Sequence, residues 1–92
     1  MRNLFISYDL YKVGQDYVGL AQAIKALGQS VKVQKSFWFV KSSKTAEEAR
    51  QELSRTIDNN DSIIVIDTTG NSAAWYGLGH EASNFVNQNW NK

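Results

Sequence analysis

Ninety-two residues, 42% hydrophobic and 12% aromatic with no low-complexity run, make one domain with one modest core and exclude a disordered tail. Ten Lys and Arg against nine Asp and Glu leave a net charge of +1, which argues against a surface built to neutralise a long polyanion. With no cysteine and one histidine, His80, the chain excludes disulfides, zinc–thiolate centres, thiol nucleophiles and multi-histidine metal sites.

The opening residues enter a strand pattern at once, without the apolar length of a secretory signal, and no segment nears the ~20 apolar residues of a membrane span. A soluble, cytoplasmic chain is expected, in the host cytoplasm if its source is viral. Residues 3–10 hold Leu4, Phe5, Ile6 and Tyr8, a short apolar run ending at Asp9, which reads as a strand covered on both faces. A polar loop over 11–14 follows. Tyr17, Leu20, Ile24 and Leu27 then step by three and four, which predicts a helix over 15–27 with Gly28 as its left-handed cap.

Val31 and Val33 alternate with Lys32 and Gln34, and Phe37 to Val40 is bulky and β-favouring, so the two runs predict a hairpin. Thr45 with Glu48 three residues on is a capping-box signature. It opens a second helix carrying Ala49, Leu53 and Ile57, which is expected to end at 59–61. Ile63 to Ile66 is an unbroken β-branched strand running into Asp67. The order β-α-β-β-α-β is the split βαβ, or ferredoxin-like, arrangement of an α+β domain. Its core is 1–67, and 68–92 forms a binding and packing segment with a short helix over 80–90 and room for a fifth strand near 73–76.

Both alternating sets in the central strands are apolar. Leu4, Ile6, Trp38, Val40, Ile64 and Ile66 form one set, and Phe5, Phe37, Phe39, Ile63 and Val65 the other. Two helices cover only one face, and a patch that large is rarely left wet. The C-terminal segment covers part of it, and burial of the open sheet face against a second copy predicts a homodimer or tetramer.

Several side chains are candidates for chemistry. Asp9 ends the first strand before a loop and a helix N-terminus, where two copies in a dimer would share a divalent ion with phosphate oxygens; a turn-capping role is equally open. Asp67 ends a strand that runs opposite to the first, which favours a role in binding loop amides. His80 and Glu81 are adjacent on a helix and face different ways, and Ser7, Ser72 and Ser83 have no base at motif spacing. Gly70, Asn71 and Ser72, then Trp75 and Tyr76, suit a binding loop in which backbone N–H groups approach phosphate and aromatic rings stack bases. Lys12, Lys35, Lys41 and Arg50 are scattered cations, most of them read as solvated surface, and no basic stripe fits a duplex.

The run LFISYDL, the polar loop, the hairpin, the Thr-capped helix and the strand IIVI resemble the small CRISPR-associated adaptation proteins (the second Cas protein) and the related VapD toxins, over about residues 1–67. The resemblance implies dimers of ferredoxin-like protomers. In some members it implies a Mg²⁺-dependent nuclease using the aspartate that matches Asp9. The loop Leu10-Tyr11-Lys12-Val13-Gly14 lacks the arginine-rich character of those families, and the Gly/Trp/Tyr segment has no counterpart in the nuclease pattern. Size, charge and site chemistry are also similar to phage proteins that sequester cyclic nucleotide defence signals.

Three readings follow. The first is a cofactor-free, non-catalytic oligomeric binder of a small nucleotide through Tyr8, Tyr11, Lys12, Lys35, Gly70, Asn71, Ser72, Trp75 and Tyr76. The second is a Mg²⁺-dependent nuclease centred on Asp9. The third is an interaction module for a protein partner. Near-neutral charge ranks the binder first and makes long nucleic acid the less favoured ligand.

Overall fold

The computed structural model describes residues 1–11 and 17–90. Its elements are β1 (Arg2–Asp9), α1 (Val18–Ala26), β2 (Gly28–Gln34), β3 (Phe37–Ser42), α2 (Ala46–Ser54), β4 (Ser62–Asp67) and α3 (His80–Asn89). The strands form one antiparallel sheet in the order β2-β3-β1-β4. This is the ferredoxin-like α+β arrangement with a helical C-terminal extension. Residues 73–76 are irregular, so no fifth strand forms there. Gly77 takes a left-handed φ of 78° there, and the Trp75 indole N–H donates to Ser83 Oγ, which draws the segment towards α3 and off the sheet edge.

Helices α1 and α2 share one face of the sheet. Leu4, Ile6, Leu20, Ile24, Val40 and Leu53 are buried together there. Each such side chain contributes about 1.5–3 kcal/mol of transfer free energy. The stripe read from 15–27 is realised from Val18, and residues 12–16 lie outside the described residues. At the other end the cap is Leu27, in right-handed helical conformation, and Gly28 is already the first residue of β2. Glycine is required there for a different reason, since a Cβ at Gly28 would lie 1.9 Å from the Lys41 carbonyl oxygen across the ladder. The capping box of α2 is present in both directions: Glu48 N–H donates to Thr45 Oγ1, and Thr45 N–H to Glu48 Oε1. The helix stops at Ser54, short of the expected 59–61. The N–H and hydroxyl of Thr56 both bond the Leu53 carbonyl and end the ladder, although Ile57 still packs on the core.

The register corrects the division of the sheet into faces. Phe5 lies opposite Ile66 and Ser7 opposite Ile64. Ile63 and Val65 therefore pack with Leu4 and Ile6 under the helices, while Ile64 and Ile66 share the other face with Phe5, Phe37 and Phe39. Helix α3 covers that second face over β2 and β3, burying Val31, Phe39, Ala82 and Val86. It leaves Ile64 59% and Ile66 49% exposed on the β4 side.

Candidate ligand-binding cleft

Between α3, the 73–78 segment and the aromatic face of the sheet lies a cleft of about 200 Å³. Its floor is set by strand alternation: Phe5 on β1 and Phe37 on β3 point away from α1 and α2, and their rings stack at 5.0 Å with an interplanar angle of 3°. Val33 and Gln34 of β2 form one wall, and Ala73 to Tyr76 with Leu78 form the other. Trp75 is half-buried, whereas Tyr76 is 99% exposed at the rim. A large ring left fully in water beside an aromatic-floored cleft is the feature that most resembles a stacking platform.

The segment that carries these rings is fixed at its start. Asp67 Oδ1 accepts from both the N–H (3.0 Å) and hydroxyl (2.6 Å) of Thr69, and Oδ2 accepts from Arg2 (2.7 Å). Those bonds, the Thr69 hydroxyl first, hold its carboxyl at about 2 against an ordinary 3.8. A turn follows in which Asn71 N–H donates to the Thr68 carbonyl and Gly70 takes φ 82°. Trp90 closes the arrangement. Its indole N–H donates to the Asn71 carbonyl (3.0 Å) while the ring packs on Phe5 and Phe39, so this tryptophan is a structural clamp.

The structure brings together only part of the residue set read from the sequence. Trp75 and Tyr76 line the cleft, and Gly70, Asn71 and Ser72 lead into it from the Asp67 end. Lys35 is exposed on the β2–β3 turn next to Gln34, at the opposite end. Tyr8 faces the helices, where its hydroxyl accepts from the Trp38 indole at 3.2 Å. Tyr11 is exposed beyond the end of β1, its N–H donating to Asp61 Oδ1. Lys12 lies outside the described residues.

Asp9 is exposed at the end of β1 opposite Ser62. Asp67 sits five ladder positions away opposite Leu4, about 17 Å at the antiparallel rise, so no Asp9–Asp67 pair forms within one protomer. Among the described residues no three His, Cys, Asp or Glu side chains gather where they would hold a metal. His80 and Glu81 start α3 and border a second, more open groove of about 490 Å³ with Lys25 and Lys32.

Lys41 is not solvated surface. It is buried on β3 directly across from Asn3, and its ammonium donates to Asn3 Oδ1 at 2.6 Å. The sequence signal was a lysine between two strand residues, with its partner 38 positions away and visible only through the β1–β3 register.

No helix among the described residues is long and apolar enough to cross a membrane. No protein-family model matches the chain, and no curated protein matches it in sequence. Among solved structures the chain is similar to the crystal structure of a hypothetical protein from Thermus thermophilus. The TM-score is 0.62 at 21% identity, over 85% of this chain and 94% of that one. At that identity the likeness is one of fold alone.

Proposed function

We propose that the chain is a non-catalytic binder of a small nucleotide, taken up at the Phe5–Phe37 cleft. The observation that carries this reading is Tyr76, fully exposed beside a cleft whose floor is a stacked aromatic pair. A base stacks on Tyr76 and on the open edge of Trp75. One phosphate meets either Lys35 at one end or the Gly70 and Ser72 N–H groups at the other, and a small nucleotide such as a cyclic dinucleotide is the class of ligand. Tyr8 and Tyr11 drop out of the ligand set because they lie off the cleft. Binding of this kind needs no metal and would sequester the nucleotide in the cytoplasm without altering it.

The test is chromatography of a panel of cyclic dinucleotides and short RNAs incubated with protein and Mg²⁺, sampled before and after heat denaturation. Disappearance followed by intact release is the expected result, with affinity reduced about 5- to 150-fold in Tyr76→Ala, the ~1–3 kcal/mol of one base stack. Release as fragments, lost in Asp9→Asn, would replace the reading with a nuclease. No depletion of any nucleotide would contradict both.

A further inference from the structure

The two edges of the sheet are built differently. On β2, Lys32 projects into solvent, a bulge breaks the ladder between Lys32 and Gln34, and Lys25 of α1 stands beside the edge. Lysines and bulges of this kind are how sheets refuse a further strand. Strand β4 has no such device. From Ser62 to Asp67 its ladder runs without a bulge, and between those two residues stand only Ile63, Ile64, Val65 and Ile66.

The bonding parity of that edge can be read from its other side. Thr68 N–H donates to the Asn3 carbonyl, and Tyr8 N–H to the Ser36 carbonyl. Bonding alternates residue by residue in an antiparallel ladder, so Ile64 and Ile66 direct their backbone groups to β1. Ile63, Val65 and Asp67 direct theirs to the open edge.

We propose that β4 is the interface between two copies of this chain, paired antiparallel about a two-fold axis through Val65. Two constraints select this register. Residues opposite one another must lie on the same face of the joined sheet, and both must present outward backbone groups. Val65 opposite the partner's Val65, with Ile63 opposite the partner's Asp67 and the reverse, meets both, and each pair exchanges two N–H···O bonds. A register centred on Ile64 would leave its central pair unbonded. On the aromatic face Ile64 then abuts the partner's Ile66, which covers the flanks of the two exposed isoleucines. On the helix face α2 borders β4 through Glu47 and Arg50, already paired within the helix. The axis turns each Arg50 towards the partner's Glu47, so the charges are self-complementary. This dimer sets the two Asp9 side chains roughly 25 Å apart, too far to share an ion. It does not depend on the nucleotide reading.

The chain has no cysteine, so single cysteines report the register directly. Light scattering at micromolar concentration should give twice the 10.4 kDa chain mass. Val65→Cys should cross-link under mild oxidation, its Cα atoms being about 5.5 Å apart. Ile64→Cys should not cross-link, at about 8 Å. If Val65→Cys folds poorly, equal amounts of Ile63→Cys and Asp67→Cys chains should cross-link as the mixed pair. A monomer at that concentration overturns the proposal. So does cross-linking of Ile64→Cys with none at Val65→Cys or in the mixed pair.

Discussion

The two faces of the sheet divide the work of this small domain. The α1/α2 face is the more tightly covered: Leu4, Ile6, Leu20, Ile24, Val40 and Leu53 are packed and inaccessible, with Trp38 buried among them. The α3 face is aromatic and only partly covered, with Phe39 fully buried at its centre, Phe5 and Phe37 lining a cleft, and Tyr76 in water. Close packing beneath two helices supplies stability and leaves little for a ligand to grip. Aromatic rings supply stability where buried and stacking surface where open, so one face can serve both needs across a few ångströms.

The sharpest way to break that comparison is to empty the centre of the aromatic face. Phe39→Ala removes a ring in contact with Phe5, Phe85 and Trp90, and should cost about 3–5 kcal/mol in urea unfolding, as much as a large truncation on the α1/α2 face. A loss under 1 kcal/mol would show that the α3 face is not a core. Next comes the polar floor beneath it. Asn3→Ala takes a charge-assisted bond from buried Lys41 and should cost about 1.5–3 kcal/mol, recovered in part by Lys41→Met in the same chain.

A smaller effect belongs to Asp67, whose folded value of about 2 lies below its ordinary 3.8. Its contribution is therefore complete above about pH 4 and is lost as pH falls through 2. The Asp67→Asn chain should lack that acid-side slope; an unchanged slope would remove Asp67 as the anchor of the 68–71 turn. The smallest stability effect separates binding from folding. Tyr76→Ala should change unfolding free energy by less than about 0.5 kcal/mol while weakening nucleotide retention. Equal losses in both would make the ring a packing residue.

Local signals were legible in the sequence and long-range ones were not. The Thr45–Glu48 box and the α1 stripe depend on neighbours three and four residues apart, and both are realised. Ile63 to Ile66 carries no alternation, so nothing local states which two face the helices; the pairing of Phe5 with Ile66 decides it. Gly28 looked like a cap because it follows a helix, yet its need for a bare backbone comes from Lys41 in another strand. Trp75 and Tyr76 were legible as adjacent rings in a glycine-rich segment, whereas the floor of the cleft they line joins β1 to β3 and exists only in the folded sheet. Tyr8 was misplaced by one step of strand alternation, which is all that separates the cleft from the α1/α2 core.

The most direct test of the division between the faces is a backbone-amide NMR titration with the cyclic dinucleotide that the chromatographic panel retains best. Shifts concentrated at Phe37, Ala73 to Tyr76 and Leu78, with α1 and α2 silent, are the expected result. Shifts centred on Asp9 and Tyr11, or spread over the helix face, would contradict it.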